Sequence, residues 1–153
     1  MLSFKTTYQE TNQPMKNRDI LRFCALTPYE HTKALCKTCK RAKSGVLWVQ
    51  LYLDSTLVGL AQCQYARNGR LCILQHFIIS PTHRRNGLGN RLLQYIMHQG
   101  VPIMVSVDRK VPYVVEFYRK RGFEPVLELM PSLLSTAPIP REEAFIIAIQ
   151  YGM

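Results

Sequence analysis

The chain has 153 residues, 47% of them hydrophobic and 20% charged, a balance that suits a single globular domain with its own core and excludes general disorder. Its formal charge is +10, from 20 Lys and Arg against 10 Asp and Glu, which disfavours cationic partners and favours anionic ones. No run approaches the ~18 apolar residues of a spanning helix, and the polar N-terminus lacks an apolar leader segment, so neither a membrane protein nor a secreted one is expected.

The charge is uneven. Residues 1–45 hold nine basic and three acidic side chains. From Asp19 to Lys43 the residues are mostly good helix formers, with a break at "TPYE" where Thr27, Pro28 and Glu30 predict the start of a second helix. Within that second helix and its tail, Lys33, Lys37, Lys40, Arg41 and Lys43 occur with no acid between them, a segment that attracts anions unless it is simply a solvated face. Cys36-x-x-Cys39 raises the question of a metal. A structural zinc needs four ligands, and apart from nearby Cys24 and His31 no second pair accompanies these two, so packing or surface cysteines are expected and no metal. Five cysteines in all, with Cys63 and Cys72 inside apolar runs, fit a reducing cytoplasm.

Residues 46–53 and 57–66 read as strands joined by a short "DST" connection. Asn68-Gly69 is the preferred chemistry of a two-residue hairpin turn, so 71–79 should be the third strand of an antiparallel meander. Beyond it come Pro81, Arg84, Arg85, Asn86, Gly87 and Gly89, and then Leu88, Leu92, Leu93, Ile96 and Met97 at helical spacing, with Gly100 as terminator. Residues 102–107 form a short strand, parallel to 71–79 because a helix separates the two. A helix over 112–121 opens at Pro112 and stops at Gly122; strand-like segments at 123–129 and 144–151 close the chain around the loop 131–142. The expected fold class is α/β: a mixed, mostly antiparallel sheet with one parallel pair, flanked by helices.

A glycine-bearing turn between a strand and a helix presents backbone N–H groups at the positive end of the helix dipole, where phosphate binds. Gly87 and Gly89 would allow close approach, and Arg84 and Arg85 add charge. A dinucleotide fingerprint would need a third glycine at position 92, which is Leu92, and no Gly-Lys-Ser/Thr follows. The turn alone is therefore an anion site or merely a tight turn.

The longer pattern Ile79-x-Pro81-x-x-Arg84-x-x-Gly87-x-Gly89 resembles the acetyl-CoA-binding motif of the GNAT superfamily of N-acetyltransferases, and "FYRKRGFEP" (117–125) is similar to that family's tyrosine-bearing helix and Gly-Phe. The resemblance implies a GNAT-like fold over residues 1–153 and an enzyme that moves an acetyl group from acetyl-CoA to a primary amine of a small molecule or protein. It implies that the backbone of Phe77, Ile78 and Ile79 pairs with the pantetheine arm, that Arg84 contributes to the motif, and that Arg85, Asn86, Gly87, Leu88, Gly89 and Asn90 cradle the pyrophosphate. Tyr118 would be the acid that protonates the departing thiolate. The glutamate that the family often places on the strand before the turn is missing, which leaves His76 as the ionisable group able to accept a proton near neutrality, with a solvent-mediated route as an equal alternative. Val111 stands where many members carry asparagine, which puts the lower arm of the coenzyme, or the acyl preference, in question. The basic segment and the loop 131–142 would border the acceptor site and suit a phosphate-bearing metabolite, an acidic protein surface or RNA. Two other functions follow from the same residues: acetylation of aminoacyl-tRNA, or a non-catalytic acetyl-CoA-binding regulatory module. The oligomeric state, a dimer included, is left open.

Overall fold

The computed structural model describes residues 1–29, 32–66, 68–107, 112–125 and 146–150. They fall into two compact units, one of residues 1–64 and 76–96, the other of residues 65–75 and those from Met97 onward. In chain order the elements are β1 (Leu2–Gln9), α1 (Arg18–Leu26), α2 (Thr32–Lys40), β2 (Val46–Leu53), β3 (Thr56–Ala66), β4 (Leu71–Ile79), a 3-10 turn at Pro81–His83, α3 (Leu88–Met97), β5 (Ile103–Val107), α4 (Pro112–Arg119), β6 (Glu124–Pro125) and β7 (Ile146–Gln150).

The first unit is built on the strand order β1-β2-β3-β4. Strand β1, for which the sequence suggested no element, pairs antiparallel with β2 along its whole length, from Leu2 opposite Leu53 to Gln9 opposite Val46. It is polar because it lies at the end of the order, where little of it needs burial. Strands β2 and β3 match the expected hairpin, with a register irregularity at Leu51/Tyr52. Asn68 and Gly69 both take positive φ, 58° and 81°, which is the type I′ turn that Asn-Gly predicts.

Helices α1 and α2 cover one face of these strands. Asn17 caps α1 through its Oδ1, which accepts from the Ile20 amide at 3.2 Å. Ile20, Phe23, Cys24, Leu35 and Cys39 from the two helices meet Val46, Trp48, Leu60 and Ile78 from the sheet in one buried cluster, with Tyr29 packed against it. The second helix begins at Thr32, later than Thr27–Glu30 suggested. Thr27 instead ends α1, its amide donating to the Phe23 carbonyl at 3.0 Å, and both the amide and hydroxyl of Thr32 donate to the Tyr29 carbonyl. Glu30 lies outside the described residues. On the opposite face α3 buries Leu88, Leu92, Leu93 and Ile96, the apolar stripe of a one-sided helix, and its Tyr95 ring stacks on Phe4 of β1 at 4.3 Å.

The helix-covered face also holds a polar chain. Thr7 donates to Gln50 (2.5 Å), Gln50 to the Tyr52 hydroxyl (2.8 Å), and Tyr52 to the Asp19 carboxylate (2.7 Å), tying α1 to β1 and β2. Burial, and then the bond to Asp19, push the Tyr52 hydroxyl from 10 up to about 12. Because the folded value exceeds the unfolded one, this contribution is intact below pH 10 and is lost as pH rises from about 10 through 12. Urea midpoints measured across that window should therefore fall more steeply for the wild type than for Tyr52→Phe, which has no such titration; parallel curves would show that the hydroxyl is not stabilised by its partners.

The second unit contains the parallel pair expected from the sequence: β4 and β5 align Cys72, Ile73 and Leu74 with Ile103, Met104 and Val105. Strand β7 runs antiparallel to β5, and β6 antiparallel to β7. The strand expected over 123–129 is seen at Glu124–Pro125, and that over 144–151 at Ile146–Gln150; their remaining residues, and the loop 131–142, lie outside the described residues. The architecture is the mixed sheet, one parallel pair included, that the element order predicts.

Candidate active site

Strand β4 ends with the Ser80 amide donating to the Val58 carbonyl at 2.8 Å, and Pro81 then opens a single 3-10 turn that the His83 amide closes onto Ser80 at 2.9 Å. Arg84 continues in extended backbone, with φ −71° and ψ 159°. Its Nε donates to the Ile79 carbonyl at 3.1 Å, bracing the turn on the end of β4. That bracing role could not be read from the sequence, which assigned Arg84 to the motif and to the charge around it.

Arg85 and Gly87 both adopt left-handed backbone, φ 68° and 74°. Left-handed residues in a tight turn rotate successive N–H groups to one side, a concavity that accepts anions. Helix α3 starts at once with Leu88, and the amides of a helix's first turn point out of its N-terminal end. No acid occupies that first turn, and the positive end of the dipole stays uncompensated. A Cβ at Gly87 would meet nothing within 4 Å, so glycine is required there by φ, and its open side is free for a ligand. Residues 84–87 are exposed, Leu88 is buried, and Gly89 and Asn90 are half-buried. The turn thus brings Arg84 to Asn90 together beside an open, basic concavity with no side chain at Gly87 to fill it.

Arg85 in this conformation carries strain of about 1–2 kcal/mol. Arg85→Gly relieves it and adds about 0.5–1 kcal/mol of unfolded-chain entropy. Thermal melts should accordingly show a stability within roughly 1 kcal/mol of wild type, while loss of the guanidinium weakens affinity for coenzyme A about tenfold. Unchanged affinity in a calorimetric titration would remove Arg85 from the cradle.

His76 and Ile78 share the helix-covered face of β4; Phe77 and Ile79 turn the other way and are half-buried. His76 is 8% exposed. Its Nδ1 lies 3.0 Å from the hydroxyl of Tyr29, and the two rings meet edge to face with centroids 5.6 Å apart. On the same face Gln62 stands directly opposite Trp48. Its side chain is wholly buried, and neither amide atom has a hydrogen-bond partner. Such an amide costs about 1–3 kcal/mol unless a water or a ligand group meets it. Neither Tyr29 nor Gln62 was anticipated. Tyr29 sits in the break between two helices, 47 residues from His76, and nothing local to either residue signals the pairing.

In the second unit Tyr118 is 6% exposed on α4. Gly122 (φ 88°) takes the left-handed position after the helix; its amide donates to Arg119 at 3.0 Å and that of Phe123 to Tyr118 at 3.1 Å, the paired bonds of a Schellman cap. Phe123 is thereby folded back onto Tyr118, ring centroids 5.1 Å apart. The Gly-Phe dipeptide accordingly has a structural task, which is to fix the aromatic packing around Tyr118. Arg121 donates to the Phe117 carbonyl at 2.7 Å and lies over the Phe117 ring; burial lowers its pKa. Val111 lies outside the described residues.

Cys24 and Cys39 are core residues, their sulfurs 3.9 Å apart. The hydrogen bond shared with Cys39, and then burial, keep the proton on Cys24 and push its thiol far up. Among the described residues no three His, Cys, Asp or Glu side chains are grouped to hold a metal; His31 is not among them. Lys33, Lys37 and Lys40 are exposed on α2, with Arg41 and Lys43 exposed just after it. No described helix is long and apolar enough to cross a membrane.

A family model for the acetyltransferase (GNAT) family matches residues 11–123. No protein of curated function matches the chain by sequence. Among solved structures, PaiA N-acetyltransferase from Thermoplasma acidophilum in complex with coenzyme A aligns with a TM-score of 0.60 at 14% identity over 97% of this chain and 99% of that one. An acetyltransferase of the GNAT family from Staphylococcus aureus aligns with a TM-score of 0.63 at 14% identity over 97% and 100%, and Tetrahymena GCN5 with 0.64 at 14% over 88% and 85%. At such identities the likeness is one of fold.

Proposed function

We propose, from the premise that this chain belongs to the GNAT acetyltransferase family, that it transfers an acetyl group from acetyl-CoA to the primary amine of a small molecule or a protein. The observation that carries this reading is the turn between β4 and α3, where left-handed Arg85 and Gly87 precede a helix start with no acidic residue in its first turn. A pyrophosphate fits that arrangement, since it is anionic and needs converging N–H donors and open space beside Gly87. In the proposed complex, residues 84–90 hold the pyrophosphate, and the backbone of Phe77, Ile78 and Ile79 takes the pantetheine arm. Acetyl-CoA supplies an activated acyl carbon. The chain's own task is then to remove a proton from the acceptor ammonium, since a protonated amine has no lone pair with which to attack. His76 is assigned that task, and Tyr118 the protonation of the thiolate.

Calorimetric titration with acetyl-CoA, desulfo-CoA and ATP tests the cradle. Binding that requires the pyrophosphate-pantetheine portion supports it, and no binding to any of the three sinks it. An acceptor screen with spermidine, tyramine and a peptide with a free N-terminus then tests transfer.

The exposed basic residues of α2 favour a second reading, in which the amine belongs to aminoacyl-tRNA; labelled acetyl retained in RNA would distinguish it. Tight coenzyme binding without turnover over the whole screen would favour a regulatory module.

A further inference from the structure

We infer that Tyr29 is the entry point for the substrate's proton, and that His76 receives that proton through the tyrosine hydroxyl and not from the amine directly. The inference rests on the acetyl-transfer reading and adds a residue to it. Three observations carry it.

The first is order of access. His76 is 8% exposed, Tyr29 is half-buried, and the Tyr29 hydroxyl sits on the histidine's Nδ1 at 3.0 Å. Of the two hydrogen-bonded residues, Tyr29 is thus the more exposed and His76 the more enclosed.

The second is the direction of the hydrogen bond. A phenol is a far stronger acid than a neutral imidazole N–H, and an imidazole nitrogen is a better acceptor than a phenolic oxygen. Tyr29 therefore donates and Nδ1 accepts, which places the ring proton on Nε2. In this tautomer the only lone pair of His76 already faces Tyr29, so a proton can enter only at Nδ1. The step balances as follows: the acceptor ammonium gives a proton to the Tyr29 oxygen as the Tyr29 proton moves to Nδ1. The products are a neutral amine, an unchanged tyrosine and an imidazolium.

The third is what the imidazolium would face. Gln62 lies on the same side of the sheet, directly opposite Trp48, fully buried and with its amide oxygen unpaired. That oxygen makes no hydrogen bond to His76 in the structure, and one bridging water would let it accept from the charged ring. Tyr29 itself is held by its packing on the core cluster and by Thr32, whose amide and hydroxyl both bond its carbonyl.

Two-bond proton–nitrogen spectra of the acetyl-CoA-bound protein read the tautomer without any acceptor amine. Expected is a protonated Nε2 with an unprotonated, hydrogen-bonded Nδ1, and a shift of the Nδ1 resonance toward that of an unbonded nitrogen in Tyr29→Phe, which keeps the ring packing. A histidine protonated on Nδ1 in the resting protein overturns the relay. Kinetics supply the second arm, using whichever of spermidine, tyramine and the free peptide the wild type acetylates fastest. Tyr29→Phe and His76→Asn should each lower kcat about a hundredfold with an unchanged KM for acetyl-CoA, and the double variant should be no slower than the worse single one, because the groups act in series. Losses that multiply would overturn the series arrangement. Wild-type protein that binds acetyl-CoA yet acetylates none of the three amines would count against the transfer reading, while the spectra still judge the Tyr29–His76 bond.

Discussion

Gly89→Leu should lower affinity for coenzyme A by at least about a hundredfold while α3 becomes, if anything, more stable as a helix. Gly89 lies in the first turn of α3 and is not among the residues with positive φ, so its backbone makes no demand for glycine. A glycine inside a helix costs about 0.8–1 kcal/mol relative to a good helix former, and leucine would recover most of that. Retention of so poor a helix former is explained if a ligand's backbone-hugging group must approach the first-turn amides, since any side chain would stand between donor and phosphate. The loss of two or more hydrogen bonds to a charged group, at about 1.5–3 kcal/mol each, is what sets the expected fall. Gly89→Ala serves as the control for folding, and melting temperature with calorimetric affinity reads both sides. Wild-type affinity in Gly89→Leu would mean that the start of α3 does not contact the coenzyme, and the cradle would have to be confined to residues 84–87.

The second large effect concerns Tyr118. Tyr118→Phe should reduce turnover by roughly 10²–10⁴-fold, the usual span for losing a general acid, with little change in coenzyme affinity. The Schellman cap at Gly122 and the packing of Phe123 on the ring are independent of the hydroxyl, so the variant keeps the aromatic arrangement seen in the structure. The split between kcat and affinity is diagnostic. A thiolate exists only as the thioester breaks, so a group that protonates it stabilises the transition state and not the ground state. Normal turnover would leave Tyr118 as a packing residue and move the acid elsewhere, whereas a fall in affinity equal to the fall in rate would indicate a binding role.

Much of the fold was legible because its signals are local. Asn68-Gly69 specifies its turn through the positive φ it tolerates, and Leu88, Leu92, Leu93 and Ile96 declare a one-sided helix through their spacing. Gly100 and Gly122 mark helix ends for the same conformational reason. A helix between two strands forces the parallel pairing of β4 with β5. Strand β1 was missed because a strand at the end of a sheet buries too little to show clean alternation. The start of α2 was placed too early because Thr27 and Pro28 read as an opening when Thr27 in fact closes α1.

By itself, then, the sequence determined the order of elements, the glycine turn with the charge around it, and the tyrosine-bearing helix with its Gly-Phe terminator, all of which depend on φ preferences and periodicity within a dozen residues. Only the tertiary structure decided that Arg84 braces the turn against Ile79, that Tyr29 meets His76 across 47 residues, and that a buried Gln62 faces the same side without a partner. The reason is physical: hydrogen bonding and burial between distant segments depend on which strands and helices come to lie side by side, and no preference of a single residue encodes that neighbourhood.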